Sequence, residues 1–225
     1  MTVLHLADET EAADLAAFLS RLLHYDRGAA VRLQAAGTAL AVFGRPPSFE
    51  VLAVRAVRLA KPYENGLDVT LDVTVSAGQF LESVDERAAV ADVPAAVTGP
   101  PWAGVLPPRG GWQAEPGLPA PDALRATVAA AVGEFRSRTE ELAPDGRTRA
   151  ELDRIGRDIW SREIGRTGLP VRAVHAAQSL GFLRPGGDPA DTGLFSSGSW
   201  LRLRTPYGSV VVRRAGLGAL GVSVR

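Results

Sequence analysis

The sequence predicts an α+β fold, in which a mostly antiparallel N-terminal sheet with two helices precedes a three-helix segment and a C-terminal β-hairpin. Residues 29–75 contain several β-rich segments separated by glycines and prolines, and apolar and polar residues alternate over 67–75 as on a half-buried strand. Apolar residues recur at helical spacing in residues 9–23 and again after residue 121. The tetrapeptide TPYG at 205–208 has proline second and glycine fourth, which is a β-turn signature.

The first half of the chain, residues 1–97, is predicted to form an α+β domain. A strand over residues 2–7 precedes Asp8, a good N-cap residue, and a helix over residues 9–23. Ser76 begins a capping-box pattern that predicts a second helix. The other strands are expected over residues 31–33, 39–43, 50–59, 68–75 and 89–97.

The second half, residues 122–225, is predicted to begin with three helices. Pro121 suits the first turn of one helix, and Thr148 is an N-cap for the next. Pro170 opens a third helix, which ends at Gly181 because glycine favours the C-terminal position of a helix. A polar loop over residues 186–199 then leads to the hairpin, whose strands are expected over residues 200–204 and 209–214.

Residues 98–121, TGPPWAGVLPPRGGWQAEPGLPAP, connect the two halves. Paired prolines stiffen this segment, and Trp102 and Trp112 are costly to leave in water. We therefore expect an ordered strap, with its tryptophans packed against one or both halves. The C-terminal hairpin packs either on its own helices or against the N-terminal sheet, and the second arrangement would make the halves one continuous unit.

Composition and charge limit the possible functions. The hydrophobic fraction of 46% and the charged fraction of 22% are typical of soluble globular proteins. No apolar run is long enough for a membrane span, no signal peptide is present, and the absence of cysteine excludes disulfides and thiolate sites. We expect a cytoplasmic protein that does not bind membranes. Residues 1–100 carry 8 basic and 13 acidic side chains, whereas residues 101–225 carry 17 and 12, so the second half suits an anionic partner.

Motifs for catalysis and for cofactors are missing from the sequence. There is no phosphate-binding P-loop and no G-x-S-x-G nucleophile elbow. The three histidines are far apart and do not have the spacing of metal ligands. We therefore expect no catalytic residues, no cofactor and no metal site, and the sequence favours a non-enzymatic binding or scaffolding protein that acts through a protein partner or self-association.

Nucleic-acid binding is a second hypothesis. Three helices followed by a hairpin have the element order of a winged-helix module, with residues 170–181 as the third helix and residues 200–214 as the wing. Polar side chains on that helix and basic side chains on the wing could meet bases and phosphates. The candidate nucleic-acid-binding residues are Arg172, His175, Arg202, Arg204, Arg213 and Arg214.

A third hypothesis is an enzyme or small-molecule binder with its pocket at the junction of the two halves. Domain junctions are favoured positions for pockets. The candidate residues are Trp102, Arg109 and Trp112, all in the strap.

Two segments, PPWAGVLPPRGGW at 100–112 and LRLRTPYG at 201–208, resemble segments of conserved hypothetical proteins of actinomycetes. A high-GC genome would also explain why Lys61 is the one lysine among 25 basic residues. The resemblance covers most of the chain. It implies a taxonomic setting and no particular chemistry.

Overall fold

The computed structural model describes residues 2–62, 71–186 and 189–214, and it has the α+β fold that the sequence predicts, with antiparallel sheets and a C-terminal hairpin. The helices are α1 (Glu9–Tyr25), α2 (Ala77–Glu82), α3 (Pro121–Glu140), α4 (Arg149–Trp160) and α5 (Val171–Ser179). The strands are β1 (Thr2–His5), β2 (Ala30–Ala36), β3 (Ala39–Gly44), β4 (Leu52–Arg58), β5 (Leu71–Ser76), β6 (Val84–Asp85), β7 (Val90–Val93), β8 (Gln113–Glu115), β9 (Gly193–Ser197), β10 (Trp200–Thr205) and β11 (Gly208–Arg213).

The predicted helix starts are confirmed by their capping bonds. The carboxylate of Asp8 accepts from the backbone N–H of Glu11 at 2.9 Å, and the hydroxyl of Thr148 accepts from that of Glu151 at 3.3 Å. Ser76 caps α2 in the same way. Each bond satisfies a backbone donor that the helix itself leaves unpaired. The predicted strand over 68–75 is described only from Leu71 onward, because residues 63–70 lie outside the described residues.

Eight strands form one antiparallel sheet in the order β5-β2-β3-β4-β11-β10-β9-β8. The central contact joins β4 from the first half to β11 from the second, with Val54 opposite Ser209. A smaller sheet has the order β1-β7-β6. Strands from both halves therefore share one sheet, and the C-terminal hairpin lies inside it.

Two sequence predictions about the second half are wrong. The hairpin is not a projecting wing, because β10 pairs with β9 and β11 pairs with β4, so neither strand is free to enter a groove of DNA. The predicted polar loop over residues 186–199 contains β9, in which Leu194 is buried. The serines and glycines of this segment do not predict a strand. The segment forms one because it pairs with neighbouring strands of the sheet.

The helices pack on one face of the large sheet, here called the inner face, and enclose the main core. Helix α1 lies against β4, and α5 lies against β11. Buried side chains of the hairpin, Leu201, Leu203 and Val210, point into this core. In the described residues, no helix has the length and hydropathy that crossing a membrane requires.

Arg55 is a charged residue in this core. It projects from β4 with only 5% of its surface exposed. Its guanidinium donates to Glu11 at 3.0 Å and Asp14 at 3.2 Å on α1, and to the backbone carbonyl of Tyr207 at 2.7 Å. Arg184 pairs with the other oxygen of Asp14 at 2.8 Å. This ion-pair network joins the first half of the chain to the hairpin turn of the second.

The strap, residues 98–121, crosses the opposite or outer face of the sheet. There it covers a second, smaller apolar cluster, which we call the outer cluster. Its buried members are Phe43, Leu52, Val54 and Val211, with Trp102, Leu106, Trp112 and Trp200 packed against them. Arg32 on β2 holds the strap by donating to the carbonyl of Ala103. Strand β4 consequently contributes apolar side chains to both faces, with Ala53 and Val57 in the main core and Leu52 and Val54 in the outer cluster.

Candidate functional site

A cavity of about 260 Å³ lies between the strap and the outer face, and we call it the Trp112 cavity. Alanines line much of it: Ala36 lies opposite Ala39 on the paired strands, and Ala41 lies opposite Ala56. Methyl groups leave space here that larger side chains would fill. Trp112 contributes an aromatic surface from the strap, and its indole N–H donates to the carbonyl of Pro108 at 3.1 Å.

Arg202 is the half-buried cation of the Trp112 cavity. Its guanidinium carbon lies 5.7 Å from the centre of the Trp112 ring, and its Nε donates to the hydroxyl of Ser209 at 3.0 Å. Burial, and then repulsion from Arg204, lower the pKa of Arg202. Among the residues that the structure describes, no carboxylate pairs with this guanidinium. Both of its Nη groups are therefore available as donors.

A second group of charged residues lies beside the Trp112 cavity and holds the strap in place. Arg32 donates to both oxygens of Asp72, at 2.7 and 3.0 Å, and Gln34 donates to the same carboxylate at 3.1 Å. The hydrogen bond from Arg32 lowers the pKa of Asp72, with a smaller contribution from the charge of Arg109. Arg109 is exposed and lines the cavity. Because the guanidinium of Arg32 is already paired with Asp72, Arg202 and Arg109 are the cations available to a ligand in this cavity.

Two further cavities lie along the strap and the hairpin. The Trp102 cavity, about 520 Å³, is lined by Trp102, Val105 and Trp200 among others. The Arg166 cavity, about 430 Å³, is more polar and is lined by Arg166 and Arg214 among others. Arg172 and Arg213 line both, so the two cavities are neighbours.

The candidate nucleic-acid-binding residues have different local surroundings. Arg202 lies in the Trp112 cavity, and the guanidinium of Arg204 covers the ring of Phe195 at 4.7 Å. The remaining arginines lie at the Arg166 cavity: Arg172 is 3.7 Å from Glu50, Arg213 covers the ring of Trp200 at 4.8 Å, and Arg214 pairs with Glu115. The residues of the proposed junction pocket also separate, with Trp102 in one cavity and Arg109 and Trp112 in another.

His175 packs inside an aromatic cluster. Its ring stacks on Trp160 at 4.7 Å and meets the ring of Phe49 edge-on at 5.1 Å. Burial lowers the pKa of this imidazole. His175 therefore packs between α5 and α4, and its half-buried ring is held by aromatic contacts.

The buried His175 should make the protein less stable in mild acid. Its folded-state pKa lies below the ordinary value of about 6.5, so the unfolded chain takes up the proton first as the pH falls through that value. We expect the free energy of unfolding in urea to be lower at about pH 5.5 than at about pH 7.5. His175→Phe should reduce this difference. An equal loss of stability in His175→Phe would contradict this assignment.

Several cavity residues could not be selected from the sequence. The alanines of the Trp112 cavity are ordinary strand residues until the register places them together on one face. Arg166 lies between Gly165 and Gly168, both of which have left-handed backbone conformations, with φ of 58° and 69°. The two glycines near Arg166 are the one feature of the sequence that could indicate this loop, because glycine adopts left-handed conformations readily.

Comparisons with known proteins find two matching family models, and neither names an activity. Residues 1–104 match a family model described as a domain of unknown function (DUF8010), and residues 107–217 match another, also described as a domain of unknown function (DUF8185). No curated protein matches the chain. The crystal structure of a DNA polymerase sliding clamp from Pseudomonas aeruginosa, solved with a ligand, is 12% identical over 90% of this chain, with a TM-score of 0.44. The chain spans 62% of that clamp, and a likeness this distant carries no argument about function.

Proposed function

We propose that this protein binds a small amphipathic anion, such as an aliphatic or aromatic carboxylate, in the Trp112 cavity. The observation that carries the proposal is Arg202, a half-buried guanidinium in an apolar cavity that pairs with no described carboxylate. A cation removed from water is costly unless an anion or strong acceptors compensate it. A bound carboxylate would supply that compensation.

The geometry of Arg202 favours a particular binding mode. Guanidinium has five N–H donors, and the one on Nε is engaged by Ser209. The Nη groups form a planar fork that matches the two oxygens of a carboxylate. The stack on Trp112 limits the rotation of this fork, so the anion would lie at the end of the guanidinium rather than along its side.

The lining of the Trp112 cavity favours an apolar body for the same ligand. Alanine methyl groups, Phe43 and Val54 provide a surface with few polar atoms, and Trp112 offers a flat face. Its volume of about 260 Å³ is slightly below the range of roughly 300–1,000 Å³ that ligand pockets usually have. The ligand should accordingly be small, with one charged end.

Calorimetric titration with decanoate, naphthalene-2-carboxylate and uncharged decanol tests the proposal. We expect both carboxylates to bind and decanol to bind more weakly, because it cannot pair with Arg202. Arg202→Met should weaken carboxylate binding by about tenfold or more, since a charge-assisted hydrogen bond contributes about 1.5–3 kcal/mol. Arg204→Met is the matched control, because Arg204 lies on the same strand and lines no part of this cavity.

A second variant separates cavity binding from surface attraction. Ala41→Leu should fill the Trp112 cavity and weaken every ligand without changing any charge. Equal affinity for decanoate and decanol, or unchanged carboxylate binding in Arg202→Met, would refute the proposal.

A further inference from the structure

We propose that the Arg166 cavity is a separate site for the phosphate of a phosphorylated small molecule, whose flat apolar part extends into the neighbouring Trp102 cavity. The Arg166 cavity shares no lining residue with the Trp112 cavity, so the phosphate site does not depend on the carboxylate site. Its basis is the convergence of arginines from three parts of the chain on one cavity of about 430 Å³.

The charge balance of the Arg166 cavity favours an anion. Its lining holds two glutamates, Glu115 and Glu163, against four arginines: Arg166, Arg172, Arg213 and Arg214. Hydrogen bonds from Ser196 and Arg214 lower the pKa of Glu115, so that carboxylate is already engaged. Within the described part of the chain, Arg166 and Arg213 pair with no carboxylate.

Two arginines of this lining also carry unpaired donors. The Nε atoms of Arg172 and Arg214 are buried and have no hydrogen-bond partner among the described residues. The nearest carboxylate oxygen to Arg172 Nε, on Glu50, is 3.7 Å away, which is too far for a hydrogen bond. Buried donors without partners are rare in proteins, because each loses its bond to water. A phosphate has enough acceptor oxygens to serve several guanidinium groups at once.

A rigid loop holds Arg166 at this position. Glu163 bridges to Pro170, and the backbone N–H of Ile164 donates to the carbonyl of Leu169 at 2.8 Å. The loop between them presents Arg166, and α5 begins immediately after it. Since Pro170, the N-cap residue, lines the cavity, the positive end of the nine-residue helix adds to the field of the arginines.

The Trp102 cavity explains why the ligand should have a flat apolar part. It is lined by Trp102, Trp200 and Leu52, and joins the Arg166 cavity at Arg172 and Arg213. Arg213 lies over Trp200 at 4.8 Å, so the boundary between the cavities combines a cation with an aromatic face. A phosphate ester of an aromatic group would place its charge on the arginine side and its ring on the tryptophan side.

Calorimetry with inorganic pyrophosphate and 1-naphthyl phosphate tests this site in the full chain. We expect both to bind, and we expect inorganic phosphate, titrated as the reference without an apolar part, to bind about tenfold more weakly than naphthyl phosphate. Arg166→Met should weaken both by about tenfold or more, because it removes a loop-tip arginine from the site. The matched control is Arg149→Met, since the side chain of Arg149 is 95% exposed on α4. Trp102→Ala should abolish the advantage of the naphthyl group and leave pyrophosphate binding unchanged.

Several outcomes would overturn the inference. Absence of pyrophosphate binding at millimolar concentration, or equal binding by Arg166→Met and the native protein, would remove the site. If duplex DNA binds more tightly than naphthyl phosphate, and this binding is lost in Arg166→Met, the ligand of the site is nucleic acid and not a small molecule. Arg202→Met should not affect phosphate binding, and Arg166→Met should not affect carboxylate binding, so the two sites are tested independently.

Discussion

Replacing Arg55 by methionine should lower the free energy of unfolding by about 3 kcal/mol, because it removes one member of a buried ion-pair network. Methionine fills similar volume but leaves the nearly buried carboxylates of Glu11 and Asp14 with one arginine partner fewer. It also leaves the carbonyl of Tyr207 without its 2.7 Å hydrogen bond. The cost should stay at the lower end of the range for buried pairs, because Arg58 and Arg184 still reach these carboxylates.

Arg58→Met is the matched control for this prediction. Arg58 pairs with the same Glu11 at 2.9 Å, but its own side chain is 72% exposed, so water replaces it readily. Urea unfolding followed by circular dichroism at about pH 7 measures both variants. If Arg55→Met and Arg58→Met unfold at the same urea concentration as the native protein, the network contributes nothing to stability.

Gly208→Ala should cost about 2 kcal/mol through a direct clash. A Cβ atom at Gly208 would lie 2.6–2.7 Å from three ring atoms of Phe182. That ring is 2% exposed and stacks on the buried Phe18 at 5.4 Å, so it has no space into which to move. The strained position is in the turn of the β10–β11 hairpin, which belongs to the shared sheet.

A double substitution distinguishes this clash from a general loss of turn stability. In Gly208→Ala with Phe182→Leu, the smaller side chain makes space, so the combined loss should be less than the sum of the single losses. Gly133→Ala, at an exposed position of α3 with open space around it, should raise stability by up to about 1 kcal/mol. Additive losses in the double variant would show that Phe182 is not the obstacle.

The order of helices and strands was largely predictable because local chemistry determines it. Asp8 and Thr148 cap the helices that follow them, and alternating residues in β2 to β4 face the two sides of the sheet as expected. Pairing between distant strands was not predictable. The segment 193–197 has too few apolar residues to indicate a strand, and it becomes one because β10 lies beside it.

The same limit applied to the candidate sites: local sequence patterns were informative, whereas contacts between distant segments could not be predicted. One hypothesis from the sequence placed Trp102, Arg109 and Trp112 at a pocket, because domain junctions are favoured positions for pockets. Which residues would face them depends on the pairing of β4 with β11, which no local pattern encodes. The six nucleic-acid-binding candidates were chosen on the element order of a winged helix, and in the structure they lie in four environments. Arg202 lies in the Trp112 cavity, Arg204 over Phe195, His175 in the aromatic cluster, and the other three at the Arg166 cavity.

The pairing of β4 with β11 has a consequence for the order in which the protein can fold. Strand β4 ends at Arg58, but its partner ends at Arg213 and is among the last described segments to be synthesised. At roughly 5–20 residues per second, the ribosome needs on the order of 10–30 s to produce the chain between them. During that interval the nascent sheet carries an open apolar edge on β4, the kind of edge to which other chains bind. We therefore expect the unpaired edge of β4 to be exposed to other chains until β11 has been synthesised.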